Sequence, residues 1–517
     1  MSTTFPAALA GDRATSGVAR FNICPDRYHC SDSHERTFPI VGGESRGLGV
    51  LRSRRMSDSS LNRREFVGAA AGAAAALAQA PAFAQSSPLP NILFLISDDH
   101  SMPDLGCYGN KAIHTPNLDR LAGQGMRFDH GYVTSPQCSP NRSSILSGCT
   151  PHTTATSRLH TPYPGWEPSF VEMLRGKDYF TGAYRKVHQG EEFDKRFDFR
   201  AEADDVAFER FFEKLPRGKP FFLHIGFHDP HRPYSKGSFS PPHDPAKVEL
   251  PDFLPDTPEV REDLALYYDE IARMDAECGQ LLDILDKRGL AENTLVVFMG
   301  DNGMPFPRAK GSLYDAGIRV PTLARWPGKI KAGSVTQQLM SSLDLPVTWL
   351  AMAGISKPDK MQGRSLLPVF AGSEEPLRDA VFTERNWHNT FDPIRAVRTR
   401  RHKLIFNAAA RFPYRPAYDL ERSLSWQSIL DESRKRDGAL KPRHWQLLEP
   451  TRPEFELYDL ESDPGEFNNR ADDPALSEVR RELEYRLSDW MHETRDFLPP
   501  LWQGYPAKSG PGRRDRL

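Results

Sequence analysis

Five short segments of this 517-residue sequence put polar side chains where chemistry could use them. Ser97-Asp98-Asp99 follows the apolar run Asn91-Ile-Leu-Phe-Leu-Ile96, and Gly300-Asp301-Asn302-Gly303 follows Thr294-Leu-Val-Val-Phe-Met299. Lys186 and His188 follow Tyr179 to Tyr184, while His228, Asp229 and His231 follow Pro220 to Phe227. The fifth segment is Cys138-Ser-Pro140-Asn-Arg142. Asp98, Asp99, Asp301 and Asn302 offer only oxygen ligands, which suit a hard cation such as calcium or magnesium rather than zinc. Lys186, His188 and His231 bring positive charge and protons. A divalent cation beside several such groups makes a site for an anion such as sulfate or phosphate. Pro140 fits the first turn of a helix that would hold Cys138 at its N-terminus, where backbone N–H groups and the dipole favour an anion. Arg142, one turn on, would point back to the same spot. Taken singly, each feature has a plainer reading as a turn, a structural histidine or a buried thiol; taken together, they point to one site.

Such convergence needs elements that end side by side. Uninterrupted apolar runs predict strands buried on both faces, and in an open α/β sheet ligands gather at the carboxyl ends of the strands. If the four runs are neighbouring parallel strands, their polar ends share one rim. Thr115 reads as an N-cap with Pro116 in the first helical turn, Glu262 to Arg288 carries a long helical pattern, and another helix is expected around Leu343–Met352. Near residue 376 the texture changes. Ile394 to Phe406 alternates apolar and charged residues, predicting half-exposed antiparallel strands, and Leu476–Met491 reads as an amphipathic helix covering them. The stretch 408–455, rich in Arg, Pro and Trp, has no clear period and is assigned no structure.

The whole chain narrows the function. A net charge of −2 and the lack of any basic run in the body argue against a nucleic-acid partner. No apolar stretch in the body approaches the roughly 20 residues that span a bilayer, so no stable membrane insertion is expected. At the N-terminus, Arg63-Arg64 precede an Ala/Gly-rich stretch ending Pro81-Ala-Phe-Ala84-Gln85, which reads as a twin-arginine export signal over 56–84. Residues 1–55 then read as a disordered extension ahead of a true start at Met56, and the mature protein is expected to be periplasmic or secreted. Cys107, Cys138, Cys149 and Cys278 remain after the signal, too few for a disulfide scaffold; pairing among Cys107, Cys149 and Cys278 stays open. The remaining chain divides into a catalytic domain over 88–375, an α+β subdomain over 376–505 and a flexible tail over 506–517.

The segment Cys138-x-Pro140-x-Arg142 with Leu146-Ser147-Gly148 resembles the signature of the type I, formylglycine-dependent sulfatases. Asp98-Asp99, Lys186-x-His188, Pro230-His231, Asp301-Asn302-Gly303, Lys310, Leu313 to Pro321 and the block Glu456 to Pro464 are similar to other segments of that family, in the same order. Phe227 to Arg232, Asp301 to Pro307 and Val381 to Arg395 with His388 most resemble the heparan N-sulfatase (sulfamidase) branch. Arg185 stands where the family usually has Gly, Val187 where it has Trp, and Lys310 where animal sulfamidases carry Arg.

The resemblance implies an alkaline-phosphatase-like α/β fold: a mixed, mostly parallel sheet sandwiched by helices, with a smaller C-terminal antiparallel α+β domain. It implies Ca2+ held by Asp98, Asp99, Asp301, Asn302 and residue 138, and a 3-oxoalanine (formylglycine) made from Cys138 by a formylglycine-generating maturation enzyme. Cys138, Arg142, Lys186, His188, His231 and Lys310 would be the catalytic set. His228, Asp229, Arg232, Glu384 and His388 are the candidates for contacts to a sulfated saccharide. N-sulfoglucosamine is the expected substrate, with an O-sulfatase on another polysaccharide, a phosphonate or phosphodiester monoester hydrolase, and an inactive sugar-binding relative as alternatives. Oligomeric state and exo or endo action are left open.

Overall fold

The central sheet is built by residues that alternate between two cores. Its eight strands run in the spatial order β5 (Phe199–Arg200), β4 (Phe180–Arg185), β6 (Phe221–Gly226), β1 (Asn91–Ser97), β7 (Thr294–Gly300), β8 (Thr322–Arg325), β2 (Met126–Phe128) and β9 (Ser334–Thr336). From β5 to β7 every pairing is parallel; β8 is antiparallel to both β7 and β2, and β9 is parallel to β2. Ile92, Phe94, Ile96, Leu295, Val297 and Met299 face one core, whereas Leu93, Leu95, Val296 and Phe298 face the other. A sheet buried on both sides explains why its strands read as unbroken apolar runs. The helix Pro258–Lys287 closes one face through Leu264, Tyr267, Ile271, Leu281 and Leu285; Trp349 of the helix Asp344–Met352 closes the other. A short sheet pairs β3 (Gly131–Tyr132) with β10 (Met340–Ser341). This is a computed structural model, and the residues it describes are 89–201 and 207–498. The expected extension, the export signal and the tail lie outside them.

Helix starts follow local chemistry in one case and tertiary chemistry in another. Thr257 accepts from Val260 N–H at 3.3 Å and Pro258 takes the first position, so the long helix begins four residues before the sequence pattern suggested. The helix Pro116–Gly123 starts where expected, but the Thr115 side chain does not cap it. Asp275 does so from the long helix, accepting from the N–H groups of Asn117 at 3.1 Å and Leu118 at 2.7 Å.

The C-terminal sheet is the antiparallel ladder β11 (Val381–Trp387), β12 (Phe391–Arg398), β13 (His402–Asn407) and β14 (Phe455–Asp459). Val397, Leu404 and Leu457 meet Leu483, Leu487, Trp490 and Met491 of the helix Ser477–Glu493, as the amphipathic pattern implied. The expectation of half-exposed strands is corrected. The other face, with Ile394, Ala396, Ile405 and Tyr458, joins the core of the main sheet. The alternating charges are buried with partners: Arg395 on Asp496 at 2.8 Å, Lys403 on Glu466 at 2.7 Å and Arg398 on Asp315 at 3.3 Å. Part of the unassigned stretch folds as the helix Leu424–Ser433, whose Ser425 hydroxyl donates to Asp263 at 2.6 Å. Among the described residues no helix is long and apolar enough to cross a membrane.

Candidate active site

Strands β4, β6, β1 and β7 are adjacent and parallel, so the polar segments that follow them meet at one rim. After β1 the backbone turns at Asp99, with φ +68°, and the Asp99 N–H donates to Asp301 Oδ1 at 2.9 Å. The Asp99 carboxylate accepts from Asn302 Nδ2 and Lys310 Nζ, both at 2.7 Å. Close backbone approach shapes the rim. A Cβ on Gly226 would fall 1.9 Å from the Lys186 carbonyl oxygen, and one on Gly303 would fall 2.0 Å from that of Ala316.

Cys138 opens the helix Cys138–Ser147, all ten residues of which are buried. Its Sγ is 3.8 Å from Asp99 Oδ1. Asn141 Nδ2 donates to the Asp301 carbonyl at 2.8 Å, while Arg142 donates through Nε to Asp301 Oδ2 at 2.8 Å and through a terminal nitrogen to the Lys186 carbonyl at 2.7 Å. The helix is thereby locked to the strand ends, and its other terminal Arg142 nitrogen is buried without a partner. Burial, then the charge of Asp98, pushes the Cys138 thiol well above its ordinary value.

The oxygen donors fit a cation. Donor atoms of Asp98, Asp99, Cys138 and Asp301 all lie within 4.8 Å of one another. Asp98 Oδ1 and Asn302 Oδ1 are buried without a hydrogen-bond partner, an arrangement that costs about 1–3 kcal/mol per group unless something else satisfies it. Burial and the neighbouring Asp98 charge push Asp301 up to about 7. Burial also opposes ionisation of Asp98, but Lys186, His231, Arg142 and Lys310 outweigh it and hold that carboxyl well below the usual range. Crowded, unsatisfied, hard oxygen donors are what a divalent ion such as calcium relieves.

Above this floor lies a cavity of about 790 Å³. Lys186 Nζ pairs with Asp98 Oδ2, and Lys310 Nζ bridges Asp99 and Asp419 at 2.7 Å each. His231 Nε2 is 3.7 Å from both Asp99 Oδ2 and Asp419 Oδ2. His188 Nε2 and His160 Nδ1 are 2.7 Å apart, and burial with the charge of Lys186 holds His188 far below its ordinary value, hence neutral. The wall therefore offers two ammonium groups, a neutral imidazole and another imidazole near the carboxylates.

Of the residues singled out from sequence, Asp98, Cys138, Lys186, His188, His228, Asp229, His231, Arg232, Lys310 and His388 line this cavity. Arg142, Asp99, Asp301 and Asn302 are buried around it. Two candidates for sugar contact carry other duties: Asp229 pairs with Arg273 at 2.6 and 2.8 Å, and Arg232 holds Asp263 through two bonds of 2.7 Å. Glu384 is corrected. It is 0% exposed, is not on the cavity wall and accepts from the His152 N–H at 2.8 Å while pairing with that imidazole, so it supports the fold. His160, Asn389, Tyr418 and Asp419 also line the cavity. Nothing in the sequence pattern marks them; Tyr418 and Asp419 fall in the unassigned stretch. Arg185 holds φ +54°, a conformation in which glycine is at ease, and is secured by Glu277 at 2.6 and 3.0 Å. Val187 packs into the core.

The family model described as Sulfatase matches residues 90–355, and human N-sulphoglucosamine sulphohydrolase is 32% identical over 461 residues, 78% of this chain and 90% of that protein. The chain belongs to the sulfatase family. A second model, described as N-sulphoglucosamine sulphohydrolase, C-terminal, matches residues 308–435. An ulvan-active sulfatase of Formosa agariphila is 29% identical, covering 82% of this chain and 80% of that protein. In fold, this sulfatase is similar to a protein solved with its substrate D-glucosamine-2-N,6-O-disulfate, with a TM-score of 0.62, 20% identity and coverage of 80% and 99%. It is equally similar in fold to a phosphonate monoester hydrolase of Silicibacter pomeroyi, with a TM-score of 0.61, 19% identity and coverage of 79% and 96%. This sulfatase is thus a hydrolase of sulfate esters or sulfamates with the alkaline-phosphatase-like architecture.

Proposed function

We propose that this sulfatase hydrolyses the N-sulfate of a glucosamine residue in a heparan-type saccharide, using a formylglycine made from Cys138. The observation that carries the reading is the origin of the cavity wall. Lys310, His388, Asn389, Tyr418 and Asp419 all come from residues 308–435, the stretch that matches the N-sulphoglucosamine sulphohydrolase C-terminal model. The 32% identity to the human enzyme supports the same substrate class.

In this reading the cysteine at 138 is the precursor of the modified residue. As a hydrated aldehyde, residue 138 would supply one hydroxyl to attack sulfur and a second to expel sulfate. Ca2+ on Asp98, Asp99, Asp301 and Asn302 would supply Lewis acidity at the attacking oxygen. Lys186 and Lys310 neutralise the sulfuryl oxygens from two sides. Arg142 has one unpartnered buried N–H with which to hold residue 138. His188, neutral beside Lys186 and held by His160, would assist deprotonation of residue 138 as sulfate leaves. His231 donates to the leaving atom.

A twin-arginine signal over 56–84 would carry the protein, already modified by a maturation enzyme and folded, to the periplasm. The test is sulfate release from N-sulfoglucosamine and from glucosamine 6-sulfate, with the mass of residue 138 checked by mass spectrometry. Release from the N-sulfated sugar with a formylglycine mass supports the proposal. Release from the O-sulfated sugar alone would favour an O-sulfatase, a second reading supported by the likeness to the ulvan-active sulfatase.

A further inference from the structure

Asp419 is an acidic side chain on the wall of an anion pocket. Its Oδ2 accepts from Lys310 Nζ at 2.7 Å and stands 3.7 Å from His231 Nε2. Lys310 and His231 follow strands of the main sheet, whereas Asp419 arrives from the segment between β13 and β14. The side chain is 21% exposed and shares the cavity wall with Cys138, Lys186 and Tyr418. Its ion pair holds the Lys310 ammonium in place, and a carboxylate that also borders the cavity repels sulfuryl oxygens while remaining able to accept from a donor on the substrate.

A carboxylate can only accept hydrogen bonds. In a sulfamate, R–NH–SO3−, the atom bridging carbon and sulfur carries a hydrogen. In a sulfate ester, R–O–SO3−, the bridging oxygen carries lone pairs alone. Beside the bridging atom, a carboxylate gains a charge-assisted hydrogen bond from the first and faces lone pairs in the second. Lys310 and His231 both reach from Asp99, at the cation site, to Asp419. A leaving atom bound beside these two residues would lie within reach of Asp419. We infer that Asp419 is a specificity-determining residue that selects nitrogen-linked over oxygen-linked sulfuryl groups. The inference rests on the N-sulfatase reading and deepens it.

The test compares N-sulfoglucosamine with glucose 2-sulfate, which differ at the bridging atom alone, on the full-length mature enzyme and on Asp419→Asn and Asp419→Glu, matched for melting temperature and for formylglycine content. Asp419→Asn should lose more activity on the sulfamate than on the ester, so that the ratio of kcat/KM values falls at least about tenfold; a site that hydrogen-bonds an N–H discriminates more strongly than that. Asp419→Glu should recover part of the ratio. Equal losses on both substrates, or none, would overturn the inference while leaving the N-sulfatase reading in place. A wild-type enzyme that cleaves glucose 2-sulfate but not N-sulfoglucosamine would overturn both. Should Asp419→Asn not fold, inhibition of the wild type decides: glucosamine, with N–H donors at the same position, should inhibit more tightly than glucose by about tenfold, and equal inhibition would refute the assignment.

Discussion

At the residue scale, the site is a crowd of charges whose members hold one another in place. Replacing Cys138 by Ala should lower sulfate release by on the order of a thousandfold or more while the melting temperature stays within a few degrees, because the residue opens a helix anchored by Asn141 and Arg142. Steady-state sulfate release and calorimetry check this, and substantial residual turnover would remove Cys138 from the mechanism. The cation-free site carries a pH signature. Asp301, raised to about 7, is protonated in the folded cation-free protein between its ordinary value and neutrality, and stability tied to that proton is lost as pH rises through about 7. Asp104, raised to about 7 by burial, acts with the same sign but is not a ligand candidate, so it cancels when the protein is compared with and without cation. The rise in melting temperature on adding Ca2+ should therefore grow between pH 5 and pH 8, and titration calorimetry in buffers of different ionisation heat should detect a proton released on binding. A rise independent of pH would detach Asp301 from the cation.

At the element scale, buried charges tie the C-terminal ladder to the catalytic body. Lys403 on β13 is fully buried and reaches Asp315 and Glu466. Lys403→Ala leaves Glu466 without its cation, and removing one partner of a buried pair costs about 3–5 kcal/mol. Urea denaturation should show that loss as a lower midpoint, with kcat/KM unchanged at temperatures where the variant is folded. A cost near zero would mean that Arg308, which bonds the Glu466 carbonyl, compensates. These charges explain the misreading of the alternating run 394–406. Its period correctly indicates strands, but period alone does not distinguish water from a buried counter-ion on the polar face.

At the scale of the whole molecule, the two sheets share one core. Ile394, Ala396, Ile405 and Tyr458 of the C-terminal ladder pack in the same cluster as Phe94, Val297 and Trp349. Deleting residues 376–517 would strip that face and remove Asp419 from the cavity. The shortened chain should be insoluble or expose enough apolar surface to bind a hydrophobic dye, as solubility and dye fluorescence would show; a soluble, active fragment would mean that residues 88–375 fold alone. At the other end, Arg63→Lys with Arg64→Lys should leave the protein in the cytoplasm, whereas the exported form should begin near Gln85 by mass spectrometry.

The sequence alone determined the strand-end pattern, the cysteine helix and the cluster of acidic groups that could hold a cation, because each depends on neighbours within a few residues: an apolar run, a proline in the first turn, acidic groups directly after a strand. It also determined the family, through the spacing Cys138-x-Pro140-x-Arg142. Only the tertiary structure decided which side chains are free to meet a substrate. Glu384 and Arg232 looked available but are spent on His152 and Asp263, while His160 and Asp419 looked ordinary but face the cavity. Those partners lie tens to hundreds of residues away along the chain, and packing alone brings them within the few ångströms over which a hydrogen bond forms.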